Sequence, residues 1–212
     1  MGPPPGLFSG HDRALPSWSY PNHSVRFVPQ AARGLGPPEL PLFDFDLPVL
    51  LAQTLERLPE TPTKCVQVWV RRQPILACVE TKARPVAIHL QSLLNHYQTP
   101  ESVVGFILLH ELLHLVIPPR EVSGSETSHP PEFWATERRL APERDLAWYW
   151  LWLEFGPILK RDSKAECIRV ASAWKKQMNK KRVPMVEIHR MLEADRAFLR
   201  SDRGSRLYGS PD

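Results

Sequence analysis

The stretch FILLHELLHLVIPP, Phe106 to Pro119, limits what this chain can become more than any other feature. It is nearly all apolar, as a segment buried on several faces must be. Yet His110, Glu111 and His114 sit at its centre. An imidazole or carboxylate buried without a partner costs several kcal/mol. Three of them within five positions must therefore compensate one another or share a partner. The segment reads as a helix. Thr99-Pro100-Glu101 supplies a hydroxyl N-cap, a proline at the first position and an acid at the positive helix end, and Pro118-Pro119 stops it.

On a helix, His110 and His114 are four residues apart and so lie one turn apart on the same face. Both imidazoles can then reach one metal ion. Glu111 is one position on, about 100° round the helix, near enough to meet a metal-bound water without being a ligand. Zinc held by neutral ligands lowers the pKa of its water towards about 7, and the carboxylate can take the proton. The competing reading is a pair of hydrogen-bonded core histidines. The buried flanks VVGFILL and LLHLVI favour the metal, because it satisfies all three groups together.

Such a site normally needs a third protein ligand. His129, fifteen residues after His114 in HPPEFW, is the first candidate. Glu137 on the following helix competes with it, and Glu126 is weaker. His89, His96 and His189 have no supporting partner in the sequence and are set aside.

The rest of the chain supplies the frame. Residues 1–41 form a Pro/Gly-rich leader, expected to be poorly ordered, that holds nine of the 23 prolines. It has too few periodic apolar positions to build an element, although Trp18, Tyr20, Phe27 and Val28 offer packing. A helix is expected after Asp46, with Leu47, Leu50, Leu51, Leu55 and Leu58 at helical spacing. Strands are expected at 66–70, 75–79 and 85–90, and QSLLNHY reads as a brief helical turn. REVSGSETS reads as a polar loop. Helices follow over FWATERRL and, from Pro142, over AWYWLWLEF. Within the latter, Trp148, Trp150 and Trp152 read as core, with an aromatic substrate platform as the alternative. Two tail helices are expected, the first with a Ser163/Glu166 capping box, the second starting near Pro184 with Met185, Ile188, Leu192 and Leu199 on one face.

The formal charge of +4 is unevenly placed: from Lys160 onward there are fourteen Lys/Arg against seven Asp/Glu, leaving the first 159 residues at about −3. The Lys175–Arg182 run, KKQMNKKR, is a candidate contact for nucleic-acid phosphates, though a solvated helix end explains it as well. Cys65, Cys78 and Cys167 are an odd number without a CxxC pair, which argues against a disulfide framework or a cysteine-zinc site. With no basic-then-apolar opening segment and no apolar run near the about 20 residues a bilayer requires, a reducing cytoplasm is the expected home.

HELLHL paired with the later HPPEFW resembles the SprT/YgjP group of zinc-dependent metallopeptidase-like domains, which carry HExxH and then a third His in an H-x-x-x-F context. The similarity runs from about Leu47 to Phe155 and is densest over Pro85–Trp134. The chain departs from that group at ILACVETKARP, where only Cys78 matches a Trp-Gly-Ser-Cys-like segment, and at Pro130, where glycine is frequent. The resemblance implies a zincin-like fold, so an α+β, zincin-like domain is expected over 42–159; the charge count and the two tail helices make 160–212 a basic helical extension. It implies Zn2+ held by His110, His114 and His129, with Glu111 as general base in the hydrolysis of a protein or peptide substrate. The backbone of Pro85–Leu90 is the expected substrate-pairing strand. The alternative is a non-catalytic, zinc-stabilised module that binds a protein or nucleic-acid partner through its basic C-terminal helices.

Overall fold

The structure, a computed structural model, describes residues 35–60, 62, 64–122, 125–162 and 166–199. Leader residues 1–34, with Trp18, Tyr20, Phe27 and Val28, lie outside that range, as does Ser163 of the expected capping box.

The fold mixes helices with a small mixed sheet. Near its start, β1 (Pro38–Glu39) is a short strand within the expected leader, pairing antiparallel with β2 (Val66–Arg71). Between them α1 (Leu47–Glu56) opens as expected, with the Asp46 side chain accepting from the Val49 amide at 3.1 Å. β3 (Ala77–Glu80) and β4 (Val86–Gln91) complete a sheet of order β1-β2-β4-β3, in which β4 runs parallel to β2 and antiparallel to β3. β4 is thus hydrogen-bonded on both sides. Its expected role as a substrate-pairing strand is corrected: among the described residues the outermost strand at this end of the sheet is β3. QSLLNHY contains a single helical turn, Ser92–Leu94.

Helix α2 (Glu101–Val116) is the central element. Val103, Val104, Leu108, Leu109, Leu112 and Leu113 are fully buried, which explains why the sequence is apolar on every face. Gly105 lets α1 approach closely, for a Cβ there would meet Cδ1 of Leu50 at 3.3 Å. Thr99 does not cap the helix. Its hydroxyl donates instead to the Leu94 carbonyl at 2.7 Å, and Pro100 occupies the N-cap position.

After α2, REVSGSETS is not a plain loop. It forms a hairpin of β5 (Arg120–Val122) and β6 (Ser125–Thr127), pairing Arg120 with Thr127. Then come α3 (Pro131–Leu140) and α4 (Arg144–Phe155), the latter two residues later than Pro142 suggested. The tryptophans of α4 separate by helical phase. Trp150 is buried and donates its indole N–H to the Val183 carbonyl at 3.0 Å, while Trp148 and Trp152, one turn apart, face a groove.

The first expected tail helix is a second hairpin, β7 (Leu159–Asp162) with β8 (Cys167–Val170). Beyond β8, a two-turn 3-10 helix over Ser172–Gln177 buries Trp174. The last element, α5 (Met185–Leu199), begins as expected after Pro184 and buries Ile188. Arg182 leaves the basic run. It is buried over the Phe155 ring at 4.7 Å and donates to the carbonyls of Gln177 and Leu93, whereas Lys175, Lys176, Lys180 and Lys181 are exposed. Among the described residues no helix is long and apolar enough to cross a membrane.

Candidate metal centre

Three elements converge at one end of α2. His110 and His114 project from the helix, and His129 reaches back from the turn between β6 and α3. One ligand atom from each lies within 4.8 Å of the others, so the three residues can hold a metal ion. Phe133 forms the floor: it is fully buried, with ring centroids 5.0, 4.8 and 4.8 Å from His110, His114 and His129. Trp134 stacks on His129 at 5.0 Å. Phe133 and Trp134, the aromatic pair of HPPEFW, thus position the histidines.

The outer ring nitrogens explain how the inner ones are presented. His110 Nδ1 lies 2.6 Å from Oε1 of Glu137, and His129 Nδ1 lies 3.3 Å from Oε2 of Glu166. An ionised carboxylate only accepts, so each places the ring proton on Nδ1. Both Nε2 atoms are then bare lone pairs, and they face each other across 3.1 Å. That contact is repulsive unless a cation lies between the rings. Tetrahedral zinc with bonds of about 2.0–2.1 Å would hold two such nitrogens roughly 3.3 Å apart, so the donor set fits a metal.

Of the two rivals for third ligand, His129 therefore joins the cluster and Glu137 stands behind it, on the far side of the His110 ring. Glu137 is fully buried. Burial pushes its carboxyl up, but the hydrogen bonds and charges of His110 and Arg144 outweigh this and hold it below the usual range. Glu126 is in β6, opposite Glu121. His89 is buried in β4 with Glu80 at 3.5 Å, His96 accepts from the Gln98 amide, and His189 is exposed on α5. None of these three histidines is in the cluster.

No family model, curated protein or solved structure matches this chain.

Its chemistry must be read from its own residues. The histidines open onto a groove of about 1160 Å³, bordered by Cys78 and Val79 of β3 on one side and by Trp148 and Trp152 on another. Glu111 lines it too, and burial raises its carboxyl to about 7 against an opposing pull from His110. Burial, then the charges of Glu111 and Glu80, push the Cys78 thiol up to about 12. It stays protonated near neutral pH, which removes it as a nucleophile or thiolate ligand. Burial first, then the neighbouring His110 and His129, takes His114 down to about 3, keeping it neutral as a ligand must be.

Neither Glu166 nor Arg144 was expected at this site from the sequence. Arg144 donates from Nε to Glu137 at 2.7 Å and so braces the carboxylate behind His110. For Glu166 the sequence signal pointed elsewhere, to a capping box. Its carboxylate instead takes donors from Thr127 and Ser128, which outweigh the effect of burial and lower it to about 2.

Proposed function

We propose that the protein is a zinc-dependent metallopeptidase of the SprT/YgjP-like, zincin type. His110, His114 and His129 hold the ion, and Glu111 is the general base. The observation that carries this reading is the pair of bare Nε2 atoms 3.1 Å apart, adjoining a groove that also contains a buried carboxylate.

Zinc in such a donor set polarises a carbonyl and acidifies a water towards neutrality. Glu111 takes the proton from the attacking water and passes it to the leaving amine. A carboxyl raised to about 7 suits both halves of that transfer. Glu137 and Glu166 hold the ring protons of His110 and His129 outward, so that both rings present Nε2. The outer edge of β3 offers backbone groups to an extended peptide, and the Trp148/Trp152 wall accommodates a bulky apolar side chain beside the bond cut.

The test combines elemental analysis with cleavage of a fluorogenic peptide library. The expected result is one zinc per chain in the wild-type protein, and hydrolysis that Glu111→Gln lowers by at least about 10²–10⁴-fold with zinc retained. Full activity in Glu111→Gln would remove the general-base mechanism. Bound zinc with no cleavage of any peptide would favour the non-catalytic module.

A further inference from the structure

We propose that Glu166, immediately before β8, is a positioning residue for the metal centre: it orients His129 and thereby sets how tightly the site holds zinc. This rests on the three-histidine metal reading and extends it to a part of the chain beyond the family resemblance.

The contacts of Glu166 fall on three consecutive residues. Oε1 accepts from the Thr127 hydroxyl. Oε2 accepts from the Ser128 amide at 2.7 Å and the Ser128 hydroxyl at 2.5 Å, and lies 3.3 Å from His129 Nδ1. Thr127 Oγ1 in turn accepts from the His129 amide at 3.2 Å. One carboxylate therefore fixes both the ring of His129 and, through Thr127, its backbone. No other described carboxylate faces that ring nitrogen within hydrogen-bonding reach.

The backbone points the same way. Glu166 has φ 48°, a left-handed conformation that glycine or asparagine adopts far more readily than glutamate. A long acidic side chain at such a turn position marks a role for the side chain itself. The strand that follows Glu166 is also anchored. β8 pairs with the segment before β3: the Leu76 amide donates to the Ile168 carbonyl at 2.8 Å and the Val170 amide to the Pro74 carbonyl at 2.7 Å. Glu166 thus ties the loop of the third histidine to the sheet that borders the groove.

A carboxylate that orients a metal-binding imidazole typically contributes about 10–100-fold to metal affinity. The full chain is titrated with zinc against a chromophoric chelator as wild type, Glu166→Ala, His129→Ala and the double variant. Glu166→Ala is expected to weaken zinc about 10–100-fold in the wild-type background and less than about threefold when His129 is already absent. Glu166→Gln keeps the side chain's volume and one acceptor oxygen; it is expected to fold and to weaken zinc about tenfold, which tests the charge should the alanine variant unfold. Wild-type affinity in both Glu166 variants overturns the inference and leaves the metal reading standing. An equal loss in both backgrounds also overturns it, because Glu166 would then act on the fold and not through His129. Absence of zinc from the wild-type protein overturns the metal reading and this inference with it.

Discussion

His110 Nδ1 and Glu137 Oε1 are 2.6 Å apart, and the other oxygen of that carboxylate accepts from Arg144 at 2.7 Å. The ring that presents Nε2 to the site is thus oriented by a fully buried acid, which is itself fixed by a cation from the next helix. Removing the charge while keeping the shape should loosen the ring. Glu137→Gln is expected to weaken zinc binding by about 10–100-fold, measured by chelator competition. Unchanged affinity would show that His110 is held by packing on Phe133 alone.

Glu137 also has an acid signature. Its carboxyl is held below the usual 4.5, so the stability it contributes is present above that value and lost as pH falls through its lowered folded-state pKa. The difference in unfolding free energy between wild type and Glu137→Gln, from urea melts, is expected to be constant at pH 6–8 and to shrink below pH about 4.5. A difference that grows on acidification would reverse the assignment.

Glu111 has the opposite sign. Burial raises its carboxyl from 4.5 to about 7. Stability associated with the protonated form is full below 4.5 and is lost as pH rises through about 7. In zinc-free protein, Glu111→Gln should therefore match wild type near pH 5 and exceed it at pH 8, by on the order of 2–3 kcal/mol. Thermal melts of the two proteins across that range give the comparison, and parallel curves would refute it.

Phe133 supports all three histidines from a position with no solvent exposure. Phe133→Ala should destabilise the zinc-free fold by about 3–5 kcal/mol, through lost transfer energy and the cavity left behind. Denaturant unfolding reads this directly. A change below about 1 kcal/mol would mean that the floor of the site collapses to fill the space.

Much of the frame was legible in the sequence because it depends on local periodicity. The Asp46 cap, the leucine spacing of α1 and the apolar run of α2 each need only neighbours within a turn or two. The His110/His114 pair is of the same kind: a spacing of four on a helix places both rings on one face whatever surrounds them. His129 as a candidate third ligand needed an inference about a loop: the want of a third donor singled it out, and the resemblance of HPPEFW to a known pattern supported it.

Other features were settled only by distant partners. Glu166 sits in a sequence that reads as a helix start, and a capping box contributes only about 1 kcal/mol. Pairing of β7 with β8, pairing of β8 with the segment before β3, and four donors and neighbours from Thr127 to His129 together exceed that preference. Strand order was hidden in the same way, since nothing within Pro85–Leu90 reveals that both of its edges are taken. Local spacing by itself determined which residues could share a helix face and a metal ion. Tertiary structure decided which acids stand behind them and which described strand lies outermost, because those contacts join residues whose separation along the chain leaves no periodic trace.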